Sequence, residues 1–421
     1  MSLVRHSRSC APSAPRSGAF AAAALTTIAL LALSGCGASG AGPEKDADAR
    51  VGSVSGATAP AGESARAATA AVRISANVRR SDVPVDKVVT VAATGGRLRS
   101  VAVRAAKGVR IPGEVSPDGT RWTASRLLEP GTTYTITTSA VDSEGRTTTT
   151  RQRFATKKLT LDEQTYPSVA PLNGETVGVG MPVIVNFDVA VKDKAAFEKH
   201  MHVTATPAQG GSWYWVSDHE AHWRPKTYWK AGSEVSVKVD VNSVAAGNGV
   251  YGQEDRDLHF HVGDAHIYKV DTRTDEMKVF SNGRLLRTIP VTTGKPGFTT
   301  RSGVKVIIEK FPVKRMRSET IGIGRNSPDY YDLDDVQWAM RLTYSGEFLH
   351  AAPWSVADQG RDNVSHGCTG MSTANADWLY HMTRRGDVVV TTGTDRQMEF
   401  GNGYGDWNMS WSDYRQGSAL A

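Results

Sequence analysis

Cysteine is scarce in this sequence. Its 421 residues contain three cysteines, Cys10, Cys36 and Cys368, which is too few for a disulfide framework. The metal-binding spacings C-x-x-C and H-E-x-x-H do not occur, and no run of Lys and Arg is interleaved with aromatic residues. We therefore expect neither a nucleic-acid partner nor a metal, and no cofactor is predicted.

The N-terminal region has the pattern of an export signal. A basic start is followed by the apolar run GAFAAAALTTIALLAL, which is too short to span a membrane. The run ends in Leu33-Ser34-Gly35-Cys36, which resembles a bacterial lipobox. Residues 1–35 are thus predicted to be a lipoprotein signal peptide, and Cys36 the lipidated first residue of the mature chain. The alternative is an ordinary cleavage site that happens to contain a cysteine.

Residues 36–71 are rich in Ala, Gly and Ser and contain few bulky side chains. Such a segment buries too little apolar surface to fold, so it is predicted to be a flexible tether. Together with the lipidated cysteine, it predicts a protein that is anchored to the cell membrane on its extracytoplasmic face.

The export signal changes the meaning of the third cysteine. Cys10 is removed with the signal and Cys36 carries lipid, so Cys368 has no partner in an oxidising compartment. An unpaired cysteine in an exported protein is a candidate reactive thiol. The alternative is an inert thiol that packs in the core.

Two β-sandwich domains are predicted to follow the tether. Residues 72–156 alternate Thr, Val, Ile and Tyr with polar residues between turn signals, and residues 157–263 repeat this plan, which is typical of tandem immunoglobulin-like domains. Neither contains a convincing catalytic group, so both are interpreted as spacers. The second domain contains three histidine pairs: His200 and His202, His219 and His222, His259 and His261. The two H-x-H pairs have the spacing of residues on one face of a strand, but ordinary histidines are favoured over metal ligands.

Residues 264–393 are predicted to form a mostly β catalytic domain with one helix after Cys368. Ser372 is a good N-cap for that helix, and Gly386 is expected to end it. The aromatic tail 394–421 is expected to pack on the body of the protein. The predicted fold class is therefore mainly β, with two immunoglobulin-like domains preceding the catalytic domain.

Two histidines are candidate bases for a Cys368 nucleophile. His366 lies two residues before Cys368, and His350 lies 18 residues before it. Local sequence does not decide between them. The backbone amides of Gly367 and Cys368 are candidate oxyanion donors. Zinc ligation by both histidines and Cys368 is an alternative, although no fourth ligand is apparent.

The stretch FLHAAPWSVADQGRDNVSHGCTGMS resembles the signature of the L,D-transpeptidases, whose catalytic domain is of the YkuD type. In that pattern a histidine is followed, after fourteen or more residues, by Ser/Thr-His-Gly-Cys. Here His350 is followed by fourteen residues and then Ser365-His366-Gly367-Cys368. With the lipobox and two immunoglobulin-like domains, the architecture is similar to that of actinobacterial lipoprotein L,D-transpeptidases.

The resemblance implies a role for each matching residue. Cys368 would be the nucleophile and His350 the base, held by the carbonyl of Ala351. His366 and Gly367 would shape the surroundings of the cysteine and its oxyanion hole. The remaining matches imply a substrate-binding set: Met316, Ser345, Gly346, Gly370 and a lid tyrosine, Tyr331 or its neighbour Tyr330.

The resemblance also implies a reaction and a partner. The enzyme would act on peptidoglycan stem peptides, release D-Ala from a tetrapeptide and form a 3→3 cross-link through a cysteinyl thioester. The sequence does not reveal the oligomeric state, and a monomer is expected. The alternatives are an L,D-carboxypeptidase, a D-amino-acid exchange enzyme, or a non-catalytic wall-binding lipoprotein. Thr369 and Gly370 replace the hydrophobic-Asn pair that is common after the cysteine, which leaves the substrate preference open.

Overall fold

A computed structural model describes residues 71–421. The predicted signal peptide 1–35, Cys36, and the tether 36–71 apart from its last residue lie outside the described residues. Strands account for 45% of the described residues and helices, including short 3-10 turns, for 9%. The mainly β fold class is thus confirmed.

The first sandwich contains eight strands in two four-stranded sheets, ordered β1-β2-β6-β5 and β4-β3-β7-β8. Alternate residues point into a core around Trp122, Tyr134 and Phe154, as the period-two pattern of the sequence requires. The strands are β1 (Arg73–Ala76), β2 (Thr90–Thr94), β3 (Gly96–Ala105), β4 (Arg110–Ile111), β5 (Gly113–Val115), β6 (Arg121–Ala124), β7 (Thr133–Asp142) and β8 (Thr147–Ala155).

The second sandwich pairs the sheets β10-β12-β15-β14 and β11-β19-β16-β13 and adds a small sheet, β17-β18-β9. Its core is richer in aromatic residues and includes Phe187, Trp223 and Phe260. The strands are β9 (Gln164–Thr165), β10 (Pro167–Ala170), β11 (Thr176–Val177), β12 (Val183–Phe187), β13 (Met201–Thr206), β14 (Gly211–Trp215), β15 (Glu220–Pro225), β16 (Glu234–Val239), β17 (Ala245–Gly247), β18 (Val250–Gly252) and β19 (Arg256–Val262).

The third domain packs a five-stranded sheet, β22-β21-β20-β28-β23, against a four-stranded sheet, β24-β25-β26-β27. Tyr268, Met340 and Leu379 are fully buried in its core. The strands are β20 (His266–Asp271), β21 (Glu276–Ser281), β22 (Arg284–Pro290), β23 (Gly303–Val306), β24 (Glu309–Arg317), β25 (Asp332–Arg341), β26 (Phe348–Ala351), β27 (Thr369–Met371) and β28 (Val388–Thr392).

Three short α-helices complete the described part of the chain: α1 (Lys194–Glu198), α2 (Thr373–Met382) and α3 (Trp411–Arg415). Helix α2 follows Cys368, and the Ser372 hydroxyl accepts a hydrogen bond from the Asn375 N–H at 3.4 Å as its N-cap. The helix ends at Met382, four residues before Gly386. Among residues 71–421, no helix is long and apolar enough to cross a membrane.

The second and third domains share one continuous core. Val306 and Val388 of the third domain lie in the same buried cluster as the aromatic residues of the second. Close backbone contact requires a glycine there, because a Cβ at Gly178 would lie 2.2 Å from the Asp387 nitrogen. The two domains therefore pack against each other through a shared core, whereas the first domain has a core of its own.

The C-terminal tail lies across both of these domains. The Trp407 indole donates a hydrogen bond to the Gly180 carbonyl at 2.8 Å, and Tyr414 is fully buried. The guanidinium of Arg224 lies over the ring of Trp411 at 5.3 Å and over that of Tyr414 at 4.2 Å. These cation–π contacts attach the tail to β15 of the second domain.

A buried histidine under the tail lies between two carboxylates. His222 Nδ1 is 2.9 Å from Asp406, and its Nε2 is 2.6 Å from Glu220. Burial disfavours the imidazolium, but the two carboxylates outweigh that penalty and raise the pKa of His222 to about 9. The cation is therefore the folded form at neutral pH.

This ion cluster makes stability depend on pH. A raised pKa stabilises the fold fully below the unfolded value of roughly 6.5, and the stabilisation is lost as pH rises through about 9. We expect His222→Gln to unfold at lower urea than wild type at about pH 6, and the gap to shrink by about pH 9.5. The exposed-histidine variant His381→Gln serves as the control. A gap that does not change with pH would contradict this assignment.

Candidate active site

The strand pair β26–β27 brings the candidate groups together. The two strands are parallel, and His350 on β26 lies directly opposite Gly370 on β27. Cys368 immediately precedes β27, so its side chain lies at the mouth of the same ladder. His350 and Cys368 line one cavity of about 320 Å³. The pairing of two strands that are 18 residues apart in the sequence therefore brings His350 into the same cavity as Cys368.

The hydrogen bond at His350 fixes the tautomer of its ring. Nδ1 lies 2.7 Å from the Ala351 carbonyl, and because a carbonyl only accepts, Nδ1 carries the proton. Burial lowers the pKa of His350, and this hydrogen bond offsets part of the effect. The neutral ring therefore has an unprotonated Nε2. The Trp354 ring stacks on the imidazole at 5.9 Å.

Cys368 is the one cysteine among residues 71–421, and it is half-buried. Its Sγ lies 3.5 Å from the Gly346 carbonyl. Burial raises the pKa of Cys368 to about 12, despite a hydrogen bond from the Phe348 backbone and the charge of Lys305. The thiol of Cys368 and the imidazole of His350 are thus both neutral at neutral pH.

The loop before Cys368 is held by its own serine. The Ser365 hydroxyl donates to the Cys368 carbonyl at 2.6 Å and accepts from the Gly367 N–H at 3.1 Å. Thr300 donates to the Gly367 carbonyl at 2.9 Å. Gly367 has a φ of 117°, which only glycine adopts readily. Of the two amides expected at the oxyanion hole, that of Gly367 is already used within the loop.

A buried ion cluster lies beneath the nucleophile. Glu347 is 3.0 Å from the Arg301 guanidinium and 2.6 Å from the Lys305 ammonium, and Lys305 is fully buried. Glu347 is flanked in sequence by Gly346 and Phe348, the two residues whose backbones contact the Cys368 sulfur. The cluster therefore fixes the turn that positions the thiol.

The predicted substrate-binding residues fall into two cavities that meet at Met316 and Tyr331. The first cavity also contains His350, His366, Cys368 and Gly370. The second, of about 530 Å³, also contains Ser345 and Gly346. Gly346, which lines the second cavity, also contacts the Cys368 sulfur through its carbonyl, so the second cavity adjoins the thiol that lines the first. Tyr330 lines neither of them.

The ring of His366 is held between two aromatic rings. It packs edge-on against Phe298 at 4.7 Å and tilts against Tyr331 at 5.1 Å. Its Nε2 is 3.6 Å from Asp329, and burial lowers its pKa. His366 thus forms one wall of the first cavity. Within residues 71–421, no group of three His, Cys, Asp or Glu side chains is placed to hold a metal ion.

Sequence reasoning missed several residues that shape this site. Trp354 is 57% exposed, so its ring is free to cover a bound ligand. Its position four residues after His350 is the sequence feature that could have indicated its place in the site. Asn402, in the tail, accepts a hydrogen bond from the Ser345 N–H at 2.9 Å and donates to its hydroxyl at 2.8 Å. No local pattern links Asn402, Lys305 or Arg301 to Cys368.

Gly370, which departs from the family pattern, lies where a side chain does not fit. Its N–H and carbonyl both pair with Thr292 at 2.9 Å. A Cβ at this position would lie 2.9 Å from the Ala352 Cβ and 3.2 Å from the Thr292 Cγ2. The absence of a side chain therefore leaves room in the first cavity, in which Ala352 and Thr292 are wall residues.

We expect Gly370→Ala to lower stability by about 1–3 kcal/mol through overpacking and to reduce turnover. Ala352→Gly should relieve the clash, so the double variant should be more stable than the sum of the single effects predicts. Urea denaturation of the four proteins completes the cycle. Additive single effects would contradict the proposed contact.

Comparison with known proteins identifies the family of this chain. Residues 80–245 match the bacterial Ig domain, and residues 265–391 match the L,D-transpeptidase catalytic domain, YkuD. The chain is 37% identical to L,D-transpeptidase 2 of Mycobacterium tuberculosis over 345 residues, covering 80% of this chain and 82% of that protein. L,D-transpeptidase 5 of Mycobacterium tuberculosis is 32% identical over 333 residues, covering 77% and 72%.

A solved L,D-transpeptidase from Mycobacterium smegmatis is 34% identical and aligns with a TM-score of 0.46, covering 54% of this chain and 99% of that one. The match to the L,D-transpeptidase catalytic domain and the two Mycobacterium tuberculosis relatives confirm the resemblance to the L,D-transpeptidases. This chain belongs to the L,D-transpeptidase family, with bacterial Ig-type modules preceding its YkuD catalytic domain.

Proposed function

We propose that this protein forms 3→3 cross-links between peptidoglycan stems through a thioester on Cys368. One observation carries the proposal: the neutral His350, with Nδ1 committed to the Ala351 carbonyl, shares a cavity with a cysteine that has no disulfide partner within residues 71–421. That arrangement supplies a nucleophile and an oriented base, which acyl transfer requires.

In the proposed acylation, the Cys368 sulfur attacks the carbonyl of the third residue of a tetrapeptide stem. His350 Nε2 takes the thiol proton as the C–S bond forms. We assign the Cys368 N–H to the developing oxyanion, because the Gly367 N–H already bonds to Ser365. The C–N bond then breaks, and the imidazolium gives its proton to the departing D-Ala amine.

In the proposed deacylation, the side-chain amine of a diamino acid on a second stem attacks the thioester. His350 accepts a proton from this amine and returns it to the sulfur as the C–S bond breaks, which restores the neutral pair and leaves a new amide. A thioester drives this exchange without a further energy source. The two adjoining cavities, which share Met316 and Tyr331, offer room for the two stems.

Mass spectrometry of the purified protein with a tetrapeptide stem tests the chemistry. We expect an acyl-enzyme adduct, free D-Ala and a cross-linked dimer from wild type. Cys368→Ala should give none of these, and His350→Gln should lose at least about a hundredfold in rate, the usual contribution of a general base. His381→Gln, on the exposed end of α2, is the matched histidine control.

The products also separate the alternatives. A tripeptide without dimer would indicate a carboxypeptidase, and an exchanged terminus would indicate a D-amino-acid exchange enzyme. D-Ala release by folded Cys368→Ala would rule out the thioester. Absence of an adduct in wild type would favour a non-catalytic wall-binding protein.

We further propose that Cys36 carries lipid and attaches the protein to the outer face of the cell membrane. The support is the Leu33-Ser34-Gly35-Cys36 sequence after an apolar run. Labelling cells with a radioactive fatty acid should mark the wild-type protein, while Cys36→Ala should remain unlabelled. Equal labelling of both proteins would contradict the anchor.

A further inference from the structure

The charge of this protein is unevenly distributed. Residues 72–156 contain 14 Lys and Arg side chains and 7 Asp and Glu side chains, whereas residues 157–421 contain 29 and 32. The first sandwich therefore has a formal charge of +7, more than the +6 of the whole chain, while the other two domains together are slightly acidic. A strongly basic module on an otherwise acidic body suggests an anionic partner.

Three arginines of the first domain, Arg104, Arg151 and Arg153, lie on the outer face of one sheet. Across the strands β3, β7 and β8, Arg104 lies opposite Thr135, and Thr135 lies opposite Arg153. In the next row, Thr137 lies opposite Arg151. The intervening residues of these strands point into the core, so these side chains face outward. The backbones of two residues that lie two strands apart, such as Arg104 and Arg153, are separated by about 10 Å.

This face is concave. One cavity of about 850 Å³ is lined by Arg104, Arg151 and Arg153, and an adjoining cavity of about 420 Å³ is lined by Arg80, Arg151 and Arg153. Because two arginines belong to both cavities, the cavities form one continuous depression. We call this surface the arginine groove: Arg80, Arg104, Arg151 and Arg153, with Thr133, Thr135 and Thr137.

The charge of the arginine groove is not balanced by the protein. Within residues 71–421, no carboxylate forms an ion pair with its four arginines. The strands β3, β4, β7 and β8 contain one acidic residue, Asp142, which pairs with Arg146. By contrast, Arg315 beside the active site pairs with Asp332 and Asp334. Like charges held close together repel one another, and a bound anion would remove that cost.

We propose that the arginine groove binds a linear, phosphate-bearing polyanion of the cell envelope. Guanidiniums bind phosphate oxygens with two parallel hydrogen bonds, and the threonine hydroxyls between them are further donors. A continuous depression accommodates a chain better than it accommodates a planar bilayer. The groove lining has no exposed aromatic ring within the described residues, so it lacks the stacking platforms with which proteins bind single-stranded nucleic acids.

This binding is independent of the chemistry at Cys368, because no residue of the arginine groove lies in the catalytic domain. It gives the first sandwich a role beyond that of a spacer: it would hold the enzyme against an anionic wall polymer while the third domain acts on the stems.

Inorganic polyphosphate is a suitable probe for the purified chain. We expect Arg104→Gln/Arg151→Gln/Arg153→Gln to bind it at least about tenfold more weakly than wild type, and the slope of log K against log salt to flatten by about 2, since three phosphate contacts are lost. Arg73→Gln/Lys87→Gln/Arg121→Gln removes the same charge from exposed positions outside the groove and should bind within about twofold of wild type, because counterion release follows contacts, not net charge. All of the replaced side chains are exposed, so both variants should fold.

Two further ligands separate the sources of negative charge. Poly-glutamate tests a carboxylate polymer, and phosphatidylglycerol vesicles test a membrane surface. Preference for polyphosphate over both supports the proposal, whereas equal or stronger binding of either would overturn the assignment of a phosphate polymer. Equal losses in the groove and control variants would also overturn it. D-Ala release should be the same in all of these variants, which separates this result from failure of the catalytic proposal.

Discussion

The buried carboxylate of Glu347 is the constraint on which the geometry of the active site depends. Its two oxygens lie between Arg301 and Lys305, and it is the carboxylate that pairs with the fully buried Lys305 ammonium, whereas Arg301 also pairs with Glu399. Removal of Glu347 would leave the buried Lys305 charge unpaired, which is costly. Because the backbones on either side of Glu347 contact the Cys368 sulfur, the same cluster that stabilises the interior also sets the position and surroundings of the nucleophile.

The C-terminal tail extends this arrangement to the second domain. Glu399 of the tail pairs with Arg301 at 2.5 Å, and Asn402 holds Ser345 beside the second cavity. Asp406, which also belongs to the tail, contacts the buried His222 of the second domain. One segment thus connects the nucleophile turn with the aromatic core of the second sandwich. The shared core of the second and third domains makes that sandwich part of the platform of the active site, whereas the first domain, with its own core, is suited to a separate binding role.

Much of this organisation could be predicted from local pattern. Period-two alternation predicted the sandwiches, because side chains of a strand alternate between core and solvent whatever their partner strands are. The spacing of His350 and Ser365-His366-Gly367-Cys368 predicted the catalytic region by resemblance. The choice of base could not be predicted from local sequence. His366 is nearer to Cys368 in sequence, and its ring contacts Phe298 and Tyr331. His350 reaches the cavity of Cys368 only through the parallel pairing of β26 with β27, which supports the proposal that His350 is the base.

The sequence by itself determined the strand pattern, Cys368 as the one cysteine of residues 71–421, and the glycine at 370, since these follow from residue type and spacing. Tertiary structure decided the protonated nitrogen of His350, the neutral state of the thiol, and the meeting of Arg301, Lys305, Glu347 and Glu399. It also decided that arginines from separate strands form one groove. The physical reason is common to all of these: burial and electrostatic pairing depend on distances between segments far apart in the chain, and those distances exist only after the sheets have formed.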